Sequence, residues 1–231
     1  MLRTIVAVVV SSLYMLLEGA IFLPLTIVLK DANYVYRAGV RVCKLAMWLC
    51  GAKIVVEGGE NLHPGRPCVY VSNHSSNLDP PAIATILPRV VVMAKKEAFK
   101  IPVAGYAFRL ASFVPVDRGT ERAAASVIAG ADRLRNGFSL LAFPEGTRSP
   151  TDEMLPFRHG VFLMAIRAHA PIVPITIVGA RAMMRKGSSA IHPGTIRFIV
   201  HPAVHTDGLR EDDRGPLAER VREIVASALP R

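Results

Sequence analysis

Residues 68–81, CVYVSNHSSNLDPP, pass from an apolar run into a polar loop and then into a helix start marked by two prolines. The run CVYVSN is rich in β-branched and aromatic residues and short enough for a buried strand. Pro80 and Pro81 suit the first turn of a helix, where no intrahelical amide bond is lost. The same alternation repeats along the body of the chain. Strand-like runs fall at 53–58, 68–73, 90–94, 112–117, 139–144, 173–179 and 195–201, and helical spacing of apolar residues falls at 79–87, 99–110, 120–136, 159–169 and 215–229. Strands alternating with helices predict an α/β fold, a single domain whose mixed sheet is flanked by helices. No internal repeat, low-complexity tract or long linker interrupts it.

In open α/β sheets ligands gather beyond the carboxyl ends of the strands, so polar clusters at those positions are the first candidates for a site. Three ends carry them: Asn73-His74, Asp117-Arg118, and Glu145-Gly146-Thr147-Arg148. His74 and Asp79 are five residues apart, about 140° around a continuous helix, and meet only if His74 lies in the loop and Asp79 begins the helix. In that arrangement the carboxylate fixes the imidazole tautomer and leaves one ring nitrogen as a general base. The plainer alternative is a capping aspartate with an unrelated surface histidine. The chain has no G-x-S-x-G, so a hydroxyl attacking directly is more economical than a covalent acyl-enzyme. In FPEGTRS, 143–149, a glycine, a hydroxyl and an arginine fork suit an anion; an ordinary loop with a Glu to Arg ion pair is the alternative. Neither G-x-x-x-x-G-K-[ST] nor G-x-G-x-x-G occurs. Lys95, directly after the run at 90–94, is a further cation at a strand end.

The 231 residues carry 28 Lys+Arg against 18 Asp+Glu, a formal charge of +10, with 51% hydrophobic residues. That balance excludes a disordered charged tail and supports one packed core. Mean hydropathy is +0.34, and much of the excess lies at the amino end. Between Arg3 and Lys30 the only charge is Glu18, so the run is long enough to span a bilayer, while Glu18 and Pro24 interrupt it. In the following segment Arg37, Arg41 and Lys44 fall on one helical face, and Val35, Val42, Leu45 and Leu49 fall largely on the other. This reads as an interfacial helix on anionic lipid, with a helix packed on the core as the alternative. The expected organisation is therefore a membrane-associated helical hairpin over 1–52, entering and leaving on the cytoplasmic side, before an α/β domain over 53–231. A single span is the alternative. Membrane phospholipid accounts for both the positive charge and the apolar end, and no nucleic-acid motif accompanies them. Cys43, Cys50 and Cys68 form no CxxC pair and read as reduced thiols; H-E-x-x-H is absent, and no metal site is expected.

Four blocks then make a pattern: NHSSNLD at 73–79, VPVDRG at 114–119, FPEGTRS at 143–149 and PIVPIT at 171–176. In order and spacing they resemble the 1-acylglycerol-3-phosphate acyltransferase family of glycerolipid acyltransferases. The resemblance implies that His74 is the base for the sn-2 hydroxyl of lysophosphatidic acid and that Asp79 orients it. It assigns Lys95, Arg118, Glu145, Gly146, Thr147 and Arg148 to the acceptor's glycerol phosphate. It also implies an acyl thioester of coenzyme A or acyl carrier protein as donor substrate, no cofactor, and phosphatidic acid as product. Another lysolipid acceptor, such as lysophosphatidylcholine or a lyso-ornithine lipid, and a non-catalytic membrane-binding protein are the alternatives.

Overall fold

The computed structural model describes residues 2–63, 65–116, 122–151 and 153–230. Two helices lead the chain, α1 (Leu2–Leu29) and α2 (Asn33–Leu49). The body contains seven strands: β1 (Ala52–Glu57), β2 (Val69–Ser72), β3 (Val90–Lys95), β4 (Val114–Val116), β5 (Ser139–Ala142), β6 (Ile172–Val178) and β7 (Gly194–Val200). Its helices are α3 (Asp79–Ile83), α4 (Ala104–Leu110), α5 (Arg122–Arg135), α6 (Gly160–Arg167), α7 (Ala180–Met183) and α8 (Arg214–Ser227). The strands form one sheet in the order β1-β7-β6-β2-β5-β3-β4. Among these strands only β6 and β7 pair antiparallel, so the sheet is mixed, and β2, β3, β4 and β5 all end on the same edge.

Alternating side chains divide the core between the two faces of the sheet. Tyr70, Leu141, Ile175 and Phe198 point to one face and pack with Ile83 and Met47; Val69, Val71, Leu140 and Ile172 point to the other and pack with Phe162 and Val221. The strand runs are almost continuously apolar because both faces are covered. The helix expected over 99–110 is instead a 3-10 turn, Lys96–Lys100, followed by α4. Pro102 disfavours helical backbone at Ile101, and Val103 has φ 61°, which breaks the run. The helix expected over 79–87 regularises only as far as Ile83.

The leading helices pack antiparallel and dock on the body. Ala7, Met47 and Cys50 join the first core, and Thr4 Oγ1 accepts the Ile191 amide at 2.9 Å. Glu18 is buried rather than facing solvent. Its carboxylate takes two bonds from the Arg41 guanidinium, 2.9 and 2.6 Å, and Arg41 lies 4.5 Å from the centre of the Phe22 ring. Arg41 is thus the partner of the one acidic group within α1, not a merely solvated residue of the basic face. Elsewhere α1 is apolar and outward: Leu2, Val8, Leu13, Leu17, Ile21 and Val28 are exposed, as is Trp48 on α2. By length and composition α1 is able to cross a membrane.

Candidate active site

The backbone leaves β2 through Asn73, whose side chain continues the sheet for one more residue. Its Nδ2 donates to the Ile177 carbonyl at 3.0 Å, and its Oδ1 accepts the Ile177 amide at 2.7 Å. The following residue, His74, is therefore projected from the carboxyl edge at a defined height. Asp79 begins α3 and is fully buried. Its Oδ2 lies 2.9 Å from His74 Nδ1 and also accepts the amides of Ser75 and Ser76, each at 2.7 Å. An ionised carboxylate only accepts, so Nδ1 carries the ring proton and Nε2 is left with a lone pair. The loop-and-helix-start geometry expected of H-x-x-x-x-D is the one observed. Asp79 Oδ1 is buried and has no hydrogen-bond partner among the described residues.

The turn after β5 closes on this histidine from the neighbouring strand. The Phe143 ring centre is 4.6 Å from that of the imidazole. The Ser149 amide donates to the His74 carbonyl at 2.9 Å. Glu145 is buried, and both of its oxygens accept backbone amides: His74 at 2.7 Å and Leu155 at 3.0 Å. Burial pushes the Glu145 carboxyl above its ordinary value, an effect those two amide bonds oppose. Gly146 has φ +73°, and a Cβ there would lie 2.7 Å from Arg158 Nε. The left-handed backbone favours glycine here, and a side chain would also have to displace the Arg158 arm. Thr147 is exposed and Arg148 half-buried. From the segment after β6, Lys186 donates to the Arg148 carbonyl at 2.8 Å, and Arg181 donates to the carbonyls of Ser149 and Pro150 at 3.3 and 2.7 Å.

His74, Asp79 and the Glu145–Arg148 turn are thus one connected assembly. Lys95 ends β3, exposed, on the same edge; β5 lies between β3 and β2, a separation of about 10 Å at ordinary strand spacing. Arg118, the remaining expected ligand, lies outside the described residues. Of the positioning groups, Asn73 belongs to the first polar cluster expected at a strand end and Phe143 and Ser149 bound the FPEGTRS block, whereas Arg158, Arg181 and Lys186 lie outside the residues that the sequence points to as a site. Asn73, a polar side chain at the last position of a buried strand and next to His74, carried a readable signal; Arg181 and Lys186 did not. Among the described residues no cluster of His, Cys, Asp or Glu is arranged to hold a metal.

An imidazole oriented in this way can take a proton from a hydroxyl group, the first step of group transfer to an alcohol, and the arrangement falls within the class of α/β transferases. A family model described as Acyltransferase matches residues 53–178, more than half of the chain. The chain belongs to the acyltransferase family. It is 33% identical over 189 residues to the 1-acyl-sn-glycerol-3-phosphate acyltransferase of Limnanthes alba, covering 80% of this chain and 66% of that one. It is 37% identical over 181 residues to the alpha form from Bos taurus, covering 77% and 63%. The chain spans just under two thirds of the length of these curated relatives. The crystal structure of the 1-acyl-sn-glycerophosphate acyltransferase PlsC from Thermotoga maritima superposes with a TM-score of 0.86 at 27% identity, covering 99% of this chain and 93% of that one.

Proposed function

We propose that this protein transfers an acyl chain from a thioester to the sn-2 hydroxyl of 1-acylglycerol 3-phosphate, forming phosphatidic acid for phospholipid synthesis. The observation that carries the reading is the half-buried His74 paired with the fully buried Asp79 and hydrogen-bonded to the turn that presents Arg148. The names of the relatives support this acceptor, and acylation of its free hydroxyl gives phosphatidic acid. His74 Nε2 takes the hydroxyl proton as the oxygen attacks the thioester carbonyl; Asp79 stabilises the imidazolium that forms. The tetrahedral adduct collapses with cleavage of the C–S bond, and the imidazolium returns the proton to the departing thiolate of coenzyme A or acyl carrier protein. No cofactor enters this sequence. Arg148, with Lys95, Arg118, Thr147 and the Gly146 backbone, binds the acceptor phosphate.

Both lipids of this reaction reside in a bilayer. The exposed apolar face of α1 and Trp48 support attachment of residues 1–52 to the cytoplasmic leaflet, with 53–231 as the catalytic domain. Lysophosphatidic acid supplied with acyl-coenzyme A or acyl carrier protein yields phosphatidic acid, identified by mass spectrometry, and a preference for acceptors bearing a phosphate monoester. Arg148→Ala raises KM for lysophosphatidic acid and leaves kcat closer to wild type. Equal use of lysophosphatidylcholine would overturn the acceptor assignment.

A further inference from the structure

The third sequence block brings a carboxylate, Glu145, into a turn otherwise suited to an anion. A carboxylate facing a phosphate repels it. The geometry resolves the conflict, because the Glu145 side chain is directed at the backbone of the histidine loop: it is 4% exposed, and both oxygens are occupied by amides, His74 at 2.7 Å and Leu155 at 3.0 Å. Resting on the function proposed above, we propose that Glu145 is a positioning residue that acts through His74 and makes no contact with the substrate.

Three successive backbone amides, those of residues 74, 75 and 76, would otherwise form a concavity ready to bind an anion. All three are consumed internally. Glu145 takes the first, and Asp79 takes the second and third while holding the ring at Nδ1. The two carboxylates therefore hold different parts of one residue. Asp79 fixes the orientation of the imidazole, and Glu145 fixes the point on the main chain from which it is suspended. The Ser149 amide on the His74 carbonyl and the Phe143 ring against the imidazole complete the restraint. His74 belongs to no helix or strand, so these contacts from the turn after β5, Glu145 being 71 residues away in sequence, replace the rigidity that a regular element would supply. The second oxygen, on Leu155, ties the same carboxylate to the segment that leads into α6. That segment is itself fastened to the turn by the Arg158 amide on the Pro144 carbonyl at 3.0 Å.

Two substitutions separate positioning from ligand binding. Glu145→Gln keeps one acceptor oxygen but turns an NH2 group toward the other amide; Glu145→Asp keeps the charge and is too short to reach both amides. Each is expected to lower kcat, per folded enzyme, by about 10²-fold, the scale of a displacement near 1 Å. KM for lysophosphatidic acid is expected to stay at the wild-type value, in contrast to Arg148→Ala. The His74 ring resonances in 15N spectra should shift in both variants in the absence of any substrate. A raised acceptor KM with unchanged kcat, or full activity with unshifted His74 resonances, overturns the assignment.

A measurement on the wild-type protein stands if neither variant folds. The His74 and Leu155 amides should exchange slowly with solvent and remain protected when lysophosphatidic acid is added. Rapid exchange, or loss of protection on adding the acceptor, overturns the proposal. Failure of the wild-type enzyme to acylate lysophosphatidic acid with either donor would refute the proposed acceptor while leaving the exchange and resonance results to decide the role of Glu145.

Discussion

Around His74 two carboxylates are inside and held by backbone amides; along α1 the apolar groups are outside and bare. Asp79 and Glu145 are buried carboxylates surrounded by amides and an imidazole, whereas Leu13, Leu17, Ile21 and Val28 face outward on a 28-residue helix. The one carboxylate of α1, Glu18, is buried too, but its partner is a guanidinium from the neighbouring helix. The body holds charge on the amides of His74, Ser75, Ser76 and Leu155, none of which lies in a helix or strand. A helix has no such amides to offer from its middle, so the hairpin needs an arginine side chain. The difference teaches that the body holds its buried charge with main chain and the hairpin holds its own with a side chain, the Glu18–Arg41 pair joining the two helices.

The largest effect breaks one side of this comparison and leaves the other intact. His74→Ala removes the proposed base, and transfer from either donor is expected to fall by about 10²- to 10⁴-fold, the usual contribution of a positioned base. Sedimentation with phospholipid vesicles should be unchanged. Wild-type turnover by this variant would remove His74 from the mechanism.

A complementary substitution on the hairpin is Leu13→Arg, at a position 62% exposed and distant from the dyad in sequence. Placing arginine in an apolar segment costs about 2.5–3.5 kcal/mol at the centre of a bilayer. Vesicle binding should weaken by roughly 10²-fold, the same energy expressed as an equilibrium constant. Activity on acceptor dispersed in detergent should be retained. Undiminished vesicle binding would show that this face of α1 does not enter lipid.

Asn73→Ala tests how far the edge depends on a side chain that pairs with backbone. The substitution leaves the Ile177 amide and carbonyl without the side chain that pairs both. An unsatisfied buried group costs about 1–3 kcal/mol, and the loss should appear as a lower Tm together with reduced kcat, since His74 is the next residue. A Tm at the wild-type value would mean that water replaces the amide without loss.

Much of the architecture is legible in the sequence, and the parts that are not share a cause. All seven strand runs appear as strands, because a run such as VPITIV at 173–178 is short, apolar and β-branched whatever it pairs with. Their order in the sheet depends on contacts far apart in sequence and leaves no local trace. The four residues of α7 are too few for a helical period to show. The His74–Asp79 pair is readable because both members lie within one loop-to-helix passage. The direction of Glu145 is not, since a carboxylate aimed at a ligand and one aimed at an amide across the sheet have the same sequence. Glu18 illustrates the same limit: read alone it interrupts an apolar run, and only the packing of α2 supplies Arg41.

The smallest effect is a matter of sign. Burial raises the Glu145 carboxyl above its ordinary 4.5, so the folded protein binds this proton more tightly than the unfolded chain does. Its contribution to stability is therefore fully present below 4.5, declines as pH rises from there through the raised folded value, and is constant above it. Glu145→Gln abolishes the titration. The unfolding free energy of wild type minus that of the variant should accordingly fall with rising pH across that window and then level, measured by denaturant unfolding at a series of pH values. The opposite slope would mean that the amides of His74 and Leu155 stabilise the carboxylate by more than burial disfavours it. The clamp on the histidine loop would then strengthen upon ionisation, and Glu145 would resemble Glu18 in being held by its partners despite its surroundings.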